Sequence, residues 1–330
     1  MGLNTAPSPV SKEIARKSRP DGPAEPGQPL AEPAKEAWWY PFKKALPVYL
    51  FILPGVILFL VWTVYPLVNM FVMSFFQWNL VKPSIFLGFD NYARAFGDEI
   101  FWQALRNTIF YAVISVPGQL ILGLAVALLV NQKLPFRAFF RTMFYLPVVS
   151  SWLVVSLIFM YLYNSQAGLL NYLLKDILHI IPSYQAWLQN PVTALFAICA
   201  LGIWKGVGWT MVIFLAGLQS VPPTLYESAA MDGANTWRRF WHITLPLIRP
   251  TIVFATVMLS IGAFNVFIQV YVMTGGGPQH STETLMTYMY SEAFKFLDLG
   301  YGAALSWIFA IGIFIISILE IRFLRRPVEY

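Results

Sequence analysis

Apolar residues gather into six long stretches, near 47–72, 109–130, 142–163, 193–217, 251–273 and 301–321, with short polar segments between them. Each reaches the roughly 20 residues that a helix needs to cross a bilayer at about 1.5 Å of rise per residue. The pattern predicts an all-α integral membrane protein of six spans, occupying residues 46–326. Pro54, Pro66, Pro117 and Pro147 fall inside the stretches, where membrane helices tolerate and often kink at them. Residues 1–45 read differently. Pro7, Pro9, Pro20, Pro23, Pro26, Pro29 and Pro33 are interspersed with Ala, Gly, Lys and Glu, and no apolar period appears, which predicts a disordered tail. No apolar stretch lies near the start, so this tail is not expected to be a secretory signal. Segment 169–181 spaces apolar residues helically around Lys175, Asp176 and His179, and predicts a short helix on the outer membrane surface. Thr274-Gly-Gly-Gly-Pro278 cannot be helical and predicts a loop.

Composition narrows the class. Hydrophobic residues make up 58% and charged residues 12% of the chain, too little polar surface to cover a soluble globule. The lone Cys199 excludes a disulfide framework and a thiolate metal cluster. His179, His242 and His280 lie in separate segments, so no metal site is expected. The net charge of +6 reads as topological rather than as a sign of nucleic-acid binding. Lys and Arg number 16 in the tail, in 131–141, in 218–250 and at the C-terminus, against 5 in the opposite segments. The positive-inside rule then places both termini in the cytoplasm.

No phosphate-binding G-x-x-x-x-G-K-[ST] loop, H-E-x-x-H or G-x-S-x-G is present, and no segment outside the spans approaches the size of a nucleotide-hydrolysing domain. The chain is not expected to be an enzyme. An ion-coupled carrier usually needs an acid deep in the membrane. The nearest here is Glu320, at the cytoplasmic end of the last stretch. One basic residue does lie at membrane depth. Lys205, in Ile-Trp-Lys-Gly-Val-Gly-Trp, requires a cavity or a polar partner, and Gly206 and Gly208 beside it permit close backbone approach. Trp209 follows one helical turn later, and Asn265 and Gln269 form a second i,i+4 pair. These four residues are candidates for lining a solute pathway, with Lys205 pointing to an anionic or hydroxyl-rich ligand. The alternative is hydrogen bonding that holds the bundle together.

The segment between the fourth and fifth stretches is the most informative. Thr224 and Glu227 have capping-box spacing, predicting a short helix to about Met231. Asp232-Gly233 ends it, with Gly233 left-handed. Asn235 can cap a second helix bounded by Pro246 and Pro250, with Trp237, Phe240, Trp241 and Thr244 on one face. This helix–turn–helix is too elaborate for a connector and reads as a docking element.

Glu227-Ser-Ala-Ala-Met-Asp-Gly-Ala234, followed by Phe240, Ile243, Leu245-Pro246 and Pro250, resembles the EAA loop of binding-protein-dependent ABC importer permeases; Ser228 is the one departure. Gly88-Phe-Asp-Asn-Tyr92, Phe101-Trp-Gln-Ala-Leu-Arg-Asn107, Phe214 to Pro222, and Thr274-Gly-Gly-Gly-Pro278 with Ser281-Thr-Glu-Thr-Leu285 and Tyr288 look like the maltose and glycerol-3-phosphate permeases of that family. The resemblance covers about residues 45–325. It implies six spans in the importer-permease fold, and an EAA loop at about 222–250 in which Glu227, Ala229, Ala230, Asp232, Gly233 and Ala234 couple to an ATPase. It also implies a second permease subunit in a heterodimer, two copies of a cytoplasmic ATPase, an extracytoplasmic solute-binding protein, and a sugar as solute. ATP and magnesium belong on the ATPase, with no cofactor in this chain. The location implied is the inner (plasma) membrane. A glycerophosphodiester or amino-acid permease remains an alternative, with an ion-coupled carrier as the distant one.

Overall fold

The structure, a computed structural model, describes residues 40–78, 84–132 and 135–324. The expected disordered tail lies almost entirely outside them. It ends earlier than its predicted boundary at 45, because helix α1 already begins at Tyr40 (Tyr40–Phe59). The chain divides into two compact units, Met1–Val64 and Tyr65–Tyr330. In the first, α1 is followed by a π-helical turn, Leu60–Val64. The second opens with α2 (Tyr65–Met73) and a two-residue antiparallel pair, β1 (Phe76–Gln77) and β2 (Ile85–Phe86). Then come α3 (Asp90–Gly97), α4 (Glu99–Asn131), α5 (Arg137–Val149), α6 (Trp152–Leu162), α7 (Pro191–Gln219), α8 (Pro223–Met231) and α9 (Thr236–Arg239). Helices α10 (Arg249–Phe264), α11 (Ile268–Met273), α12 (Leu285–Tyr290) and α13 (Leu299–Leu324) complete it.

Five helical stretches are long and apolar enough to cross a membrane: Leu46–Met73, Glu99–Asn131, Pro191–Gln219, Arg249–Met273 and Leu299–Phe323. The expected third span, 142–163, is instead a broken pair, α5 and α6, bent by 97°. Ser150 and Ser151 between them are extended, and Pro147 in the last turn of α5 has no N–H for the helical ladder. The second span starts ten residues before its predicted 109, so Phe101–Asn107 is helix rather than loop. Asp98 caps it by accepting from the N–H of Ile100 at 2.9 Å. Its first turns carry buried Asn107 and Thr108, whose polarity hid the helix from an apolar pattern. Asn107 Nδ2 donates to the carbonyls of His280 and Glu283, and Thr108 Oγ1 accepts from the N–H of Leu285. Thus the 274–284 segment is anchored to α4. Its first part, residues 274–278, is non-helical as expected, with Gly275 and Gly276 at positive φ. The expected surface helix at 169–181 shrinks to Leu169–Ile177, ending at left-handed His179.

Helix α7 is the buried axis of the second unit. It packs along α4 and α5, while α10 lies against α4 and α13, and α11 against α6. One apolar core joins α4, α6, α7, α10, α11 and α13; the other joins the far ends of α4 and α7 to Ile248 and Ala255. Outward-facing residues such as Leu157, Phe254 and Phe314 are exposed. Apolar side chains outside and polar ones such as Ser115, Thr210 and Gln119 inside suit a lipid solvent.

Candidate functional site

A cavity of about 310 Å³ opens in the middle of this bundle. Lys205 and Trp209 from α7 and Gln269 from α11 line it, as expected from sequence. Asn265 does not. Helix α10 ends at Phe264, and the break through Phe267 turns Asn265 outward while Gln269 is buried. Asn265 and Gln269 therefore do not share a face, because the fifth span is broken between them. The Asn265 carboxamide instead donates to the carbonyl of Ile261 at 2.7 Å.

Three further residues line the cavity that the sequence did not single out: Tyr111 and Gln119 from α4, and Trp152 at the start of α6. Gln269 Nε2 donates to the Tyr111 hydroxyl at 3.2 Å. Tyr111, Ser115 and Gln119 are spaced i, i+4 and i+8, so they form a polar stripe on one face of an otherwise apolar helix. That stripe was the available signal. Trp152 gave none, because only the break between α5 and α6 brings it to the wall.

Lys205 is 3% exposed. Its Nζ donates to the carbonyls of Pro147 at 2.7 Å, Val148 at 3.1 Å and Ser150 at 2.8 Å, and lies 4.7 Å from the Trp152 ring centre. Close approach of α5 depends on Gly208, where an added Cβ would fall on the carbonyl oxygen of Phe144.

The second candidate element is the exposed helix–turn–helix. Helix α8 covers the predicted range, but its N-cap is Pro222 and no side chain caps it. Thr224 and Glu227 already lie inside the helix, so the expected capping box is absent. Gly233, at φ +76°, closes the helix in a Schellman arrangement: Ala234 N–H donates to Ala229 O at 2.9 Å, and Gly233 N–H to Ala230 O at 3.1 Å. Four motif positions, Ala229, Ala230, Gly233 and Ala234, therefore build the helix end. Glu227, Ala230 and Asp232 are exposed. Asn235 caps α9 by accepting from Arg238 N–H at 2.9 Å, as predicted. Beyond α9 the chain continues through a π-helical turn, Phe240–Thr244, and Leu245–Leu247, so Pro246 sits within helical structure rather than ending it. The rings of Trp237, Phe240 and Trp241 contact one another, Trp237 remaining 67% exposed while Thr244 is buried. The Tyr226 hydroxyl meets Thr244 Oγ1 at 3.0 Å and ties α8 to this segment.

A bundle of apolar helices thus surrounds a central cavity that mixes aromatic, amide and apolar side chains, and an exposed helix closed by the Gly233 turn joins two of its long helices, an architecture suited to a membrane permease. This chain belongs to the family of binding-protein-dependent transport system inner membrane components, whose model matches residues 119–326. It is 37% identical over 289 residues to a probable ABC transporter permease protein of Bacillus subtilis, covering 87% of this chain and 98% of that one. It is 38% identical over 272 residues to the sulfoquinovosyl glycerol transport system permease protein of Agrobacterium fabrum, covering 81% and 87%. Among solved structures it resembles a subunit of a bacterial ABC transporter involved in the import of the acidic polysaccharide alginate. There the TM-score is 0.77 and identity 26%, with 88% of this chain and 99% of that one covered. The chain is thus an ABC importer permease.

Proposed function

We propose that this permease imports a saccharide, forming half of the translocation pathway. The observation that carries the reading is the central cavity. It presents the aromatic rings of Tyr111, Trp152 and Trp209 beside the carboxamides of Gln119 and Gln269. Aromatic rings suit the apolar C–H faces of a sugar, and amides suit its hydroxyls. The saccharide named for the Agrobacterium relative and the alginate of the solved importer favour the same class. Lys205, Trp209 and Gln269 belong to this pathway in our reading, and Asn265 lies outside it.

The pathway is completed by a second, different permease subunit. An extracytoplasmic binding protein delivers solute, and two copies of a cytoplasmic ATPase hold the ATP and magnesium that drive transport. Helix α8 inserts into a groove on one ATPase, with exposed Glu227 and Asp232 as its charged contacts. The basic asymmetry of the chain supports a cytoplasmic position for this loop and both termini, with the complex in the inner membrane. Uptake by the whole importer is expected to stop when ATP is depleted and to survive an uncoupler. Uptake abolished by the uncoupler at undiminished ATP would mean an ion-driven carrier instead.

A further inference from the structure

The one charged side chain lining the central cavity is already engaged. An ammonium has three N–H donors and no acceptor. All three donors of Lys205 meet backbone carbonyls around the α5–α6 break, those of Pro147, Val148 and Ser150. Two of these acceptors, Pro147 O and Val148 O, are among the last four carbonyls of α5, which have no partner within the helix. A helix C-terminus also carries partial negative charge, which favours a cation there. The ring of Trp152, the first residue of α6, closes the remaining side. No carboxylate forms an ion pair with Lys205 among the described residues.

We propose that Lys205 is a positioning residue: it clamps the broken third span at its bend, so that this chain offers the solute aromatic rings and amides but no free cation. The consequence deepens the saccharide reading and rests on it: this half of the pathway meets the hydroxyl and C–H surface of the sugar, and any acidic group on it is received elsewhere than at Lys205. The sequence hint that Lys205 points to an anionic or hydroxyl-rich ligand gives way as far as direct contact goes, because its three N–H donors already meet backbone carbonyls. The clamp also explains why the break forms the cavity wall. Val148 and Trp152, on either side of it, both line the cavity, and without the cation the carbonyls between them would face each other unpaired in a low-dielectric interior.

The test uses the complete purified importer with Ser151→Cys as a reporter. Ser151 is exposed at the bend and its side chain makes no capping bond. The one native cysteine of this chain, Cys199, is buried, so labelling is read on this subunit's band after separation. Lys205→Met is expected to raise the rate of labelling by a small aqueous maleimide by about tenfold, while Lys205→Arg, which keeps donors and charge, stays within about twofold. An unchanged rate in Lys205→Met overturns the clamp. If that variant does not assemble, Lys205→Gln is scored the same way. A second arm measures the thermal midpoint of the wild-type and Lys205→Met importers with millimolar glucose or glucuronate. The difference between the two sugars is expected to be the same in both proteins. Stabilisation by glucuronate that is present in the wild type and lost in Lys205→Met would make Lys205 an anion receptor and overturn the proposal. The labelling arm contains no solute, so it stands or falls independently of whether the importer carries a sugar.

Discussion

Gln269 and Tyr111 come from helices far apart in sequence and meet through one buried hydrogen bond of 3.2 Å. Truncating one partner leaves the other's polar group buried and unpaired, at a cost of roughly 1–3 kcal/mol. Gln269→Ala is therefore expected to lower the thermal midpoint of the assembled importer modestly. It should reduce transport more than it reduces complex yield, because the same amide faces the cavity. Tyr111→Phe in the Gln269→Ala background should add little further destabilisation, since the bond is already gone. Additive losses measured in that double-mutant cycle would show that the two side chains act independently. The sequence revealed these residues unevenly. Lys205 and Gln269 are conspicuous because a strongly polar group at membrane depth demands a partner. Tyr111 and Gln119 required reading a stripe of weakly polar residues, and Trp152 required knowing where a helix breaks. Asn265 misled because i,i+4 spacing implies a shared face only while the helix continues.

At the scale of elements, helix ends decide what the chain can do. Helix α8 was legible to within one residue of its start, because Pro222-Pro223 and Gly233 punctuate it. The capping box was not present, since Pro223 fits the first helical turn and moves the start ahead of Thr224. Glu227 is thereby free for an external partner. Gly233→Asp puts a side chain into a left-handed position, at a cost of about 1–2 kcal/mol, and adds a charge at the exposed turn. It is expected to leave complex assembly intact while uncoupling ATP hydrolysis from uptake. Asn235→Ala removes the cap of α9, worth about 0.5–2 kcal/mol, and should weaken coupling in the same direction but less. Normal ATPase stimulation and uptake in both variants would remove the loop from the mechanism. At the opposite end of α4, a polar cluster joins three helices. Asp98 accepts from the hydroxyls of Tyr288 and Tyr301, and Arg94 pairs with Asp298 at 2.7 Å and with Glu292 at 3.6 Å. Burial disfavours charge on Asp98, but the tyrosine hydroxyls and the N–H groups of Ile100 and Phe101 outweigh it and hold its pKa below the ordinary 3.8. Burial pushes Glu292 above its ordinary 4.5, with Arg94 offsetting only part of that. The signs are opposite. The Asp98 contribution is present above 3.8 and is lost as pH falls through its lowered value. That of Glu292 is fully present below 4.5 and is lost as pH rises through its raised value. In profiles of thermal midpoint against pH, Glu292→Gln should flatten the gain on acidifying from neutrality, and Asp98→Asn should flatten the loss at the acid end.

For the whole molecule, five of the six spans were legible because lipid imposes a length and an apolarity that few other structures need. The bend in the third was legible only in part: Pro147 permits a kink, but a 97° break also depends on contacts from another helix, where Lys205 meets the carbonyls of Pro147, Val148 and Ser150. Orientation is a different kind of property, set by charge between the spans rather than by packing within them. Lys and Arg favour one side by 16 to 5, and that side includes Arg238 and Arg239, in the loop that we propose meets the ATPase. A cytoplasmic position for this loop would satisfy both the charge count and the docking of the exposed helix on a cytoplasmic ATPase. Thr236 lies exposed in that loop, directly after the cap of α9, and the buried Cys199 offers little competing thiol. A cysteine at Thr236 is therefore expected to resist a membrane-impermeant maleimide in intact cells and to react once the membrane is opened. Reaction in sealed cells would invert the orientation and detach the loop from any cytoplasmic ATPase, while the packing of the bundle around its cavity would stand.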